Sequence, residues 1–250
     1  MTTTAIIVPA RLGSTRFPQK LLHPVQGKPI ILWTAERIRT EAPEFPLHFA
    51  VDSETLATPL RDAGFSVHLT NPDLPSGTDR IAAANQTIRA DRILNVQGDE
   101  PMVRGEQIRL LDQLLGENID MATLGRPLQQ EDDYTNPNHV KVVRARDGRA
   151  LYFSRAPIPY VQGNHGRYSE ALQDQDHVLV HLGLYAYTAA MLSRFAQLKP
   201  TPLEQMERLE MLRAMEHGYT LAVGVTAHCL VEIDTPENIA EFEHAISHKS

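Results

Sequence analysis

Three cationic side chains, Arg11, Arg16 and Lys20, fall within ten residues in a loop that also holds Gly13, Ser14 and Thr15. Arginine grips phosphate through a planar fork of donors and lysine acts as a point charge. Backbone amides and hydroxyls can complete a cradle for phosphate oxygens. The spacing matches neither G-x-x-x-x-G-K-[ST] nor G-x-G-x-x-G, which disfavours P-loop and dinucleotide folds. A solvated surface turn accounts for the same residues equally well.

Two acidic loops are candidates to complement it. In Gln97-Gly98-Asp99-Glu100-Pro101 an acid follows a strand, where it can hold Mg²⁺, a hard cation that takes carboxylates, waters and substrate phosphates. Gln97 can hydrogen-bond a base or a sugar. The second loop is Ile233-Asp234-Thr235-Pro236-Glu237. Carboxylates from two distant loops suit phosphoryl transfer assisted by metal ions. A plain turn at Asp99 and a capping carboxylate at Asp234 are the structural alternatives. The segment Ser76-Gly77-Thr78-Asp79-Arg80 opens a helix whose N-terminus can accept an anion; otherwise it is a cap with Arg80 on the surface. His244 and His248 lie four apart with no third ligand, and Cys229 reads as a buried strand thiol.

Such loops need a scaffold. Strand-like runs at 5–10, 47–51, 65–69 and 93–96 alternate with helical stretches at 29–42, 52–64 and 78–90, with Asp52 and Ser53 capping the second. This alternation implies right-handed crossovers and a parallel sheet, with ligands outside the carboxyl ends of the strands. Strands at 139–146 and 149–154 flank the hairpin signal Asp147-Gly148, and 162–176 reads as a mobile loop. Then come a strand at 178–187, helices at 189–198 and 202–217, strands at 219–225 and 230–233, and a last helix from Thr235-Pro236. The expectation is one domain, 1–250, with a β-rich insertion at about 130–187.

Composition narrows the partners. A formal charge of −7 argues against a general nucleic-acid binder, which needs clustered basic residues. No apolar run reaches the roughly 18 residues of a membrane span, and the N-terminus lacks the pattern of a signal peptide. One cysteine fits a reducing compartment.

Taken together, six motifs resemble the 3-deoxy-manno-octulosonate cytidylyltransferases, the CMP-Kdo synthetases, in order over nearly the whole chain. They are Val8-Pro9-Ala10-Arg11 with Ser14, Arg16, Pro18 and Lys20; Ser76 to Arg80; Asn95 to Pro101; Ala150 to Arg155; His181-Leu182-Gly183-Leu184-Tyr185; and Asp234 to Glu237. The resemblance implies a nucleotide-diphospho-sugar transferase fold, α/β and Rossmann-like with a mixed sheet flanked by helices and a smaller β-rich dimerisation region. It implies a cytoplasmic homodimer that transfers CMP from CTP to Kdo. By motif, Arg11, Ser14, Lys20, Ser76, Gly77, Arg80 and Gln97 bind CTP. Gln97, Arg155, His181, Tyr185 and Glu210 contact the sugar acid. Asp99 and Asp234 hold Mg²⁺, and Arg11, Lys20, Asp99 and Asp234 carry the catalysis.

The chain departs from the family pattern at Gln19, where many members have glycine, and at Met211, where an amide is usual. The strand Leu184-Tyr185-Ala186-Tyr187 and the approach Glu232-Ile233 resemble relatives that activate the 8-amino analogue of Kdo, so that analogue, or less readily a sialic acid, is the rival acceptor. A non-catalytic nucleotide-sensing module is the rival of another class.

Overall fold

The N-terminal apolar run forms β1 (Thr4–Ala10), buried at every position after Thr4. Continuous burial without polar alternation is the pattern of a strand inside a parallel sheet. The computed structural model describes residues 2–13, 17–116, 119–169, 172, 176–230, 233 and 235–247, the side chains of 236, 237 and 247 excepted. The chain divides into two compact units, 1–112 with 230–250, and 113–229. The β-rich region expected at 130–187 falls inside the second of these.

In the first unit, β1 is followed by a small hairpin, β2 (Pro24–Val25) and β3 (Lys28–Pro29), and then by α1 (Ile30–Glu41). The chain continues through β4 (Leu47–Val51), α2 (Glu54–Asp62), β5 (Ser66–Leu69), α3 (Gly77–Ile88), β6 (Arg92–Asn95) and α4 (Gly105–Leu114). The strands run β6-β1-β4-β5, all parallel. The helices bury their apolar faces, among them Ile31, Ala35 and Ile38 of α1, Leu56 and Leu60 of α2, and Ile108 and Leu111 of α4. Each of these isoleucine and leucine side chains contributes about 1.5–3 kcal/mol of burial.

The second unit holds β7 (Met121–Pro127), α5 (Glu131–Thr135), β8 (Lys141–Arg144), β9 (Ala150–Ser154), β10 (Val178–Thr188), α6 (Ala189–Phe195), α7 (Pro202–Glu207), α8 (Met211–Glu216) and β11 (Leu221–Val225). Here β7 pairs parallel with β11 and antiparallel with β10, and β8 lies antiparallel between β10 and β9. The final helix α9 (Pro236–Ser247) belongs to the first unit, where Phe242 meets the Trp33 ring edge-on at 5.7 Å. The chain therefore has the expected α/β class, with a mixed sheet and flanking helices.

Three expectations are corrected. The helix expected at 202–217 is broken, because Arg208 adopts a left-handed conformation, φ 54°. Arg213 of α8 donates to the Glu204 carboxylate of α7 at 2.9 and 2.5 Å. Residues nine apart on one continuous helix would be separated by about 13.5 Å of rise, so this pair requires the break. The strand expected at 230–233 is absent at Leu230 and Ile233, and residues 231 and 232 lie outside the described set. Ile233 N–H instead donates to the Asp99 carbonyl at 3.2 Å. Cys229 is exposed and lies beyond the end of β11, so it is not a buried strand thiol.

Candidate functional site

All four parallel strands of the first unit deliver polar groups at their carboxyl ends. After β1 come Arg11 and the basic loop, which closes in a 3₁₀ turn at Lys20–Leu22. After β6, Gly98 packs beside that turn: a Cβ there would stand at ordinary contact distance, 3.5 Å, from Leu21 and from the Pro9 carbonyl. The two loops are thus stacked, and the Lys20 ammonium contacts the Asp99 carboxylate. Both side chains are largely buried, at 13% and 14% exposure. Thr34 of α1 pins the Gly98 carbonyl at 2.9 Å, and Gln97 donates to Asn95 at 3.0 Å.

Helix α3 brings the third motif to the same edge, where a Cβ on Gly77 would lie 3.4 Å from Pro9. Ser76 is its N-cap: the hydroxyl accepts from Asp79 N–H at 3.1 Å and donates to the Asp79 carboxylate at 2.7 Å. Arg80 is not on the surface. It is 3% exposed, and its guanidinium donates to Thr70 Oγ1 at 2.5 Å and the Asn71 carbonyl at 3.3 Å, just past β5. Burial lowers its pKa; the Asp52 charge opposes that, and the like charge of Arg11 adds to it.

Asp52, at the end of β4, is a residue that sequence reasoning missed. It was expected as part of a helix cap, yet both carboxylate oxygens lie 3.0 Å from Leu12 N–H, at the root of the basic loop. Ser14 and Asp234 lie outside the described residues. Ile233, the residue before Asp234 in sequence, donates its N–H to the Asp99 carbonyl. No three His, Cys, Asp or Glu residues gather as a metal cage among the described residues. Of the two carboxylates expected to take Mg²⁺, a cation that keeps waters and substrate phosphates as most of its ligands, Asp99 is the one among the described residues, and the ion would have to displace the Lys20 ammonium from it.

The second unit gathers the candidate sugar-acid residues. His181 and Tyr185 stand four apart on β10, and a regular strand would separate them by about 13 Å. Their rings are 5.4 Å apart, because β10 bulges between Leu182 and Tyr185 while β7 advances one residue. The Phe153 ring packs edge-on against His181 at 5.2 Å. Burial pushes the His181 pKa down to about 3. The Tyr185 pKa is raised well above its usual value by burial, then by Tyr187, then by the Glu210 carboxylate. Glu210 is the N-cap residue of α8, just after the break at Arg208.

Arg155 is tied into the protein. Its Nε donates to the Glu207 carbonyl at 2.8 Å and its Nη1 to the Pro137 carbonyl at 3.0 Å. The Glu207 carboxylate in turn accepts from Ser154 Oγ at 2.5 Å and Arg155 N–H at 3.0 Å. This reciprocal clamp joins the end of β9 to the end of α7. Glu207 carried no motif signal, because its role depends on the helix break.

The sequence profile of the cytidylyltransferase family matches residues 5–223. A 3-deoxy-manno-octulosonate cytidylyltransferase of Syntrophobacter fumaroxidans is 42% identical over 238 residues, 93% of this chain and 92% of that relative. That of Thermodesulfovibrio yellowstonii is 36% identical over 253 residues, 98% of each chain. Among solved structures, a CMP:2-keto-3-deoxy-manno-octonic acid synthetase complexed with CTP is 31% identical and covers 100% of both chains, with a TM-score of 0.90.

Proposed function

The chain belongs to the cytidylyltransferase family, and on that premise we propose that it transfers CMP from CTP to 3-deoxy-D-manno-octulosonate (Kdo), giving CMP-Kdo for lipopolysaccharide synthesis. Relatives at 36–42% identity over nearly the full chain, named for that activity, support the acceptor, and a similar structure complexed with CTP supports the donor. The observation that carries the reading is the Lys20–Asp99 contact, where the basic loop meets the acidic loop at the ends of adjacent parallel strands.

The anomeric hydroxyl oxygen of Kdo attacks the α-phosphorus. The bond from that phosphorus to the bridging oxygen of the β-phosphate breaks, diphosphate leaves with the electron pair, and the hydroxyl proton passes to solvent. Arg11, Lys20 and the N-terminus of α3 draw the triphosphate and hold charge as it develops on the leaving group. Ser14 adds a donor to that cradle, and Gln97 serves the junction of nucleotide and sugar. Magnesium held by Asp99 and Asp234 supplies charge neutralisation when bound. His181, Tyr185, Glu210 and Arg155 serve the sugar acid.

A neutral His181 acts as a hydrogen-bonding group rather than a cation. No helix among the described residues is long and apolar enough to cross a membrane. Cytoplasmic location and a homodimer complete the proposal, following from the family resemblance. Diphosphate release from CTP, Kdo and Mg²⁺ tests it: turnover is expected with Kdo, and equal or faster turnover with the 8-amino analogue would change the acceptor.

A further inference from the structure

The bulge in β10 is stitched from the opposite strand by one fully buried hydroxyl. Thr123 of β7 stands across from Tyr185, and its Oγ1 lies 2.7 Å from the Leu184 carbonyl, 3.2 Å from the Leu182 carbonyl and 3.0 Å from His181 Nε2. A threonine hydroxyl has one proton, and a carbonyl can only accept. The proton is therefore engaged by the two bulge carbonyls, and Nε2 must be the donor toward Thr123. That fixes His181 as the Nε2–H tautomer and leaves Nδ1 as an acceptor, the complement of a hydroxyl group. The same contacts hold the extra residues of β10 in place, which is what brings the His181 and Tyr185 rings together.

We propose that Thr123 is the positioning residue of the sugar-acid site: it sets the His181 tautomer and maintains the bulge that places His181 beside Tyr185. The inference rests on the function proposed above for its ligand, while the tautomer and the bulge stand on geometry alone. Valine at this position preserves shape and removes the hydroxyl. Serine keeps the hydroxyl and removes a methyl.

The test measures kinetics and the ¹⁵N spectrum of histidine-labelled protein, with His181 signals assigned by their loss in His181→Gln. Thr123→Val is expected to raise KM for Kdo about tenfold while KM for CTP changes less than about twofold, as displaced binding groups do. Thr123→Ser is expected to restore most of that loss. In the spectrum, Thr123→Val should convert His181 from the Nε2–H form to a mixture of tautomers. An unchanged tautomer, or a KM for Kdo that does not move, would overturn the proposal, as would equal increases in both KM values. If Thr123→Val fails to fold, Thr123→Ala takes its place in both measurements. Wild-type protein that turned over no Kdo would overturn the acceptor assignment instead, and the spectra would still decide whether Thr123 sets the tautomer.

Discussion

The Lys20 ammonium rests against the Asp99 carboxylate, so the loop after β1 and the loop after β6 share one ion pair. Replacing Asp99 by asparagine keeps the shape and removes the charge. Turnover should fall about 10²–10³-fold, the scale for losing one preorganised electrostatic group. Stability should fall by only about 1–3 kcal/mol, the cost of leaving a partly buried polar partner unpaired. Diphosphate release and denaturant unfolding of Asp99→Asn check this. A variant that keeps most of its turnover would remove Asp99 from the reaction.

Asp52 bears on nucleotide binding without standing in any recognised motif. Its carboxylate anchors Leu12 N–H, and its charge acts on Arg80 against that of Arg11. Asp52→Ala should therefore loosen the root of the basic loop and raise KM for CTP about tenfold, close to the 1.5–3 kcal/mol of a charge-assisted hydrogen bond. Asp52→Asn retains an acceptor for Leu12 and should recover part of the loss. Steady-state kinetics at fixed Kdo would separate the two variants.

Gln19 occupies a left-handed conformation, φ 54° and ψ 29°, immediately before the turn that carries Lys20. A side chain with a Cβ is held there at a cost of about 1–2 kcal/mol, which glycine does not incur. Gln19→Gly should consequently raise the unfolding free energy by up to about 1 kcal/mol and leave KM for CTP unchanged. Thermal melting and kinetics decide it, and a displaced phosphate loop would show as a higher KM.

Much of the first unit was legible because β1 and β4 are mainly apolar runs, and Ser53 and Ser76 mark the starts of α2 and α3. The strand 47–51 was placed to the residue. The strand β7 went unread, because Gly125 and Pro127 weaken its pattern and both of its faces are buried. A Cβ on Gly125 would come within 2.8 Å of Leu179, so that glycine reports close strand approach rather than a turn. The break between α7 and α8 was hidden because the Arg213–Glu204 pair that accompanies it joins residues whose proximity no helical periodicity implies. Asp52 and Thr123 escaped for a related reason: a cap residue and a strand threonine look ordinary until register places a backbone group or an imidazole beside them.

The buried imidazole of His181 makes stability depend on pH in a definite direction. In the unfolded chain it takes up a proton near its ordinary value of 6.5; in the folded protein it does so only at about 3. The unfolded state therefore binds more protons between those values, and stability falls as the pH drops through that window. From pH 7.5 to 5.5 this single group should contribute a loss of about 1.4 kcal/mol. Burial also lowers the pKa of His48 and His68, so both add to the slope with the same sign. Urea unfolding of His181→Gln beside the parent at the two pH values isolates the one contribution: the variant's loss should be smaller by that amount.

Met211 departs from the amide usual in the family, and its surroundings explain what the amide would meet here. It is the first residue of α8 and only 4% exposed, packed within the second unit rather than presented to solvent. An amide in that place must find hydrogen-bond partners or incur about 1–3 kcal/mol for its desolvation. Met211→Gln should therefore lower the melting temperature without lowering KM for Kdo. Kinetics with Kdo and with its 8-amino analogue, read beside the melting curve, test both halves. A lower KM for either acid at unchanged stability would mean that position 211 does read the acceptor.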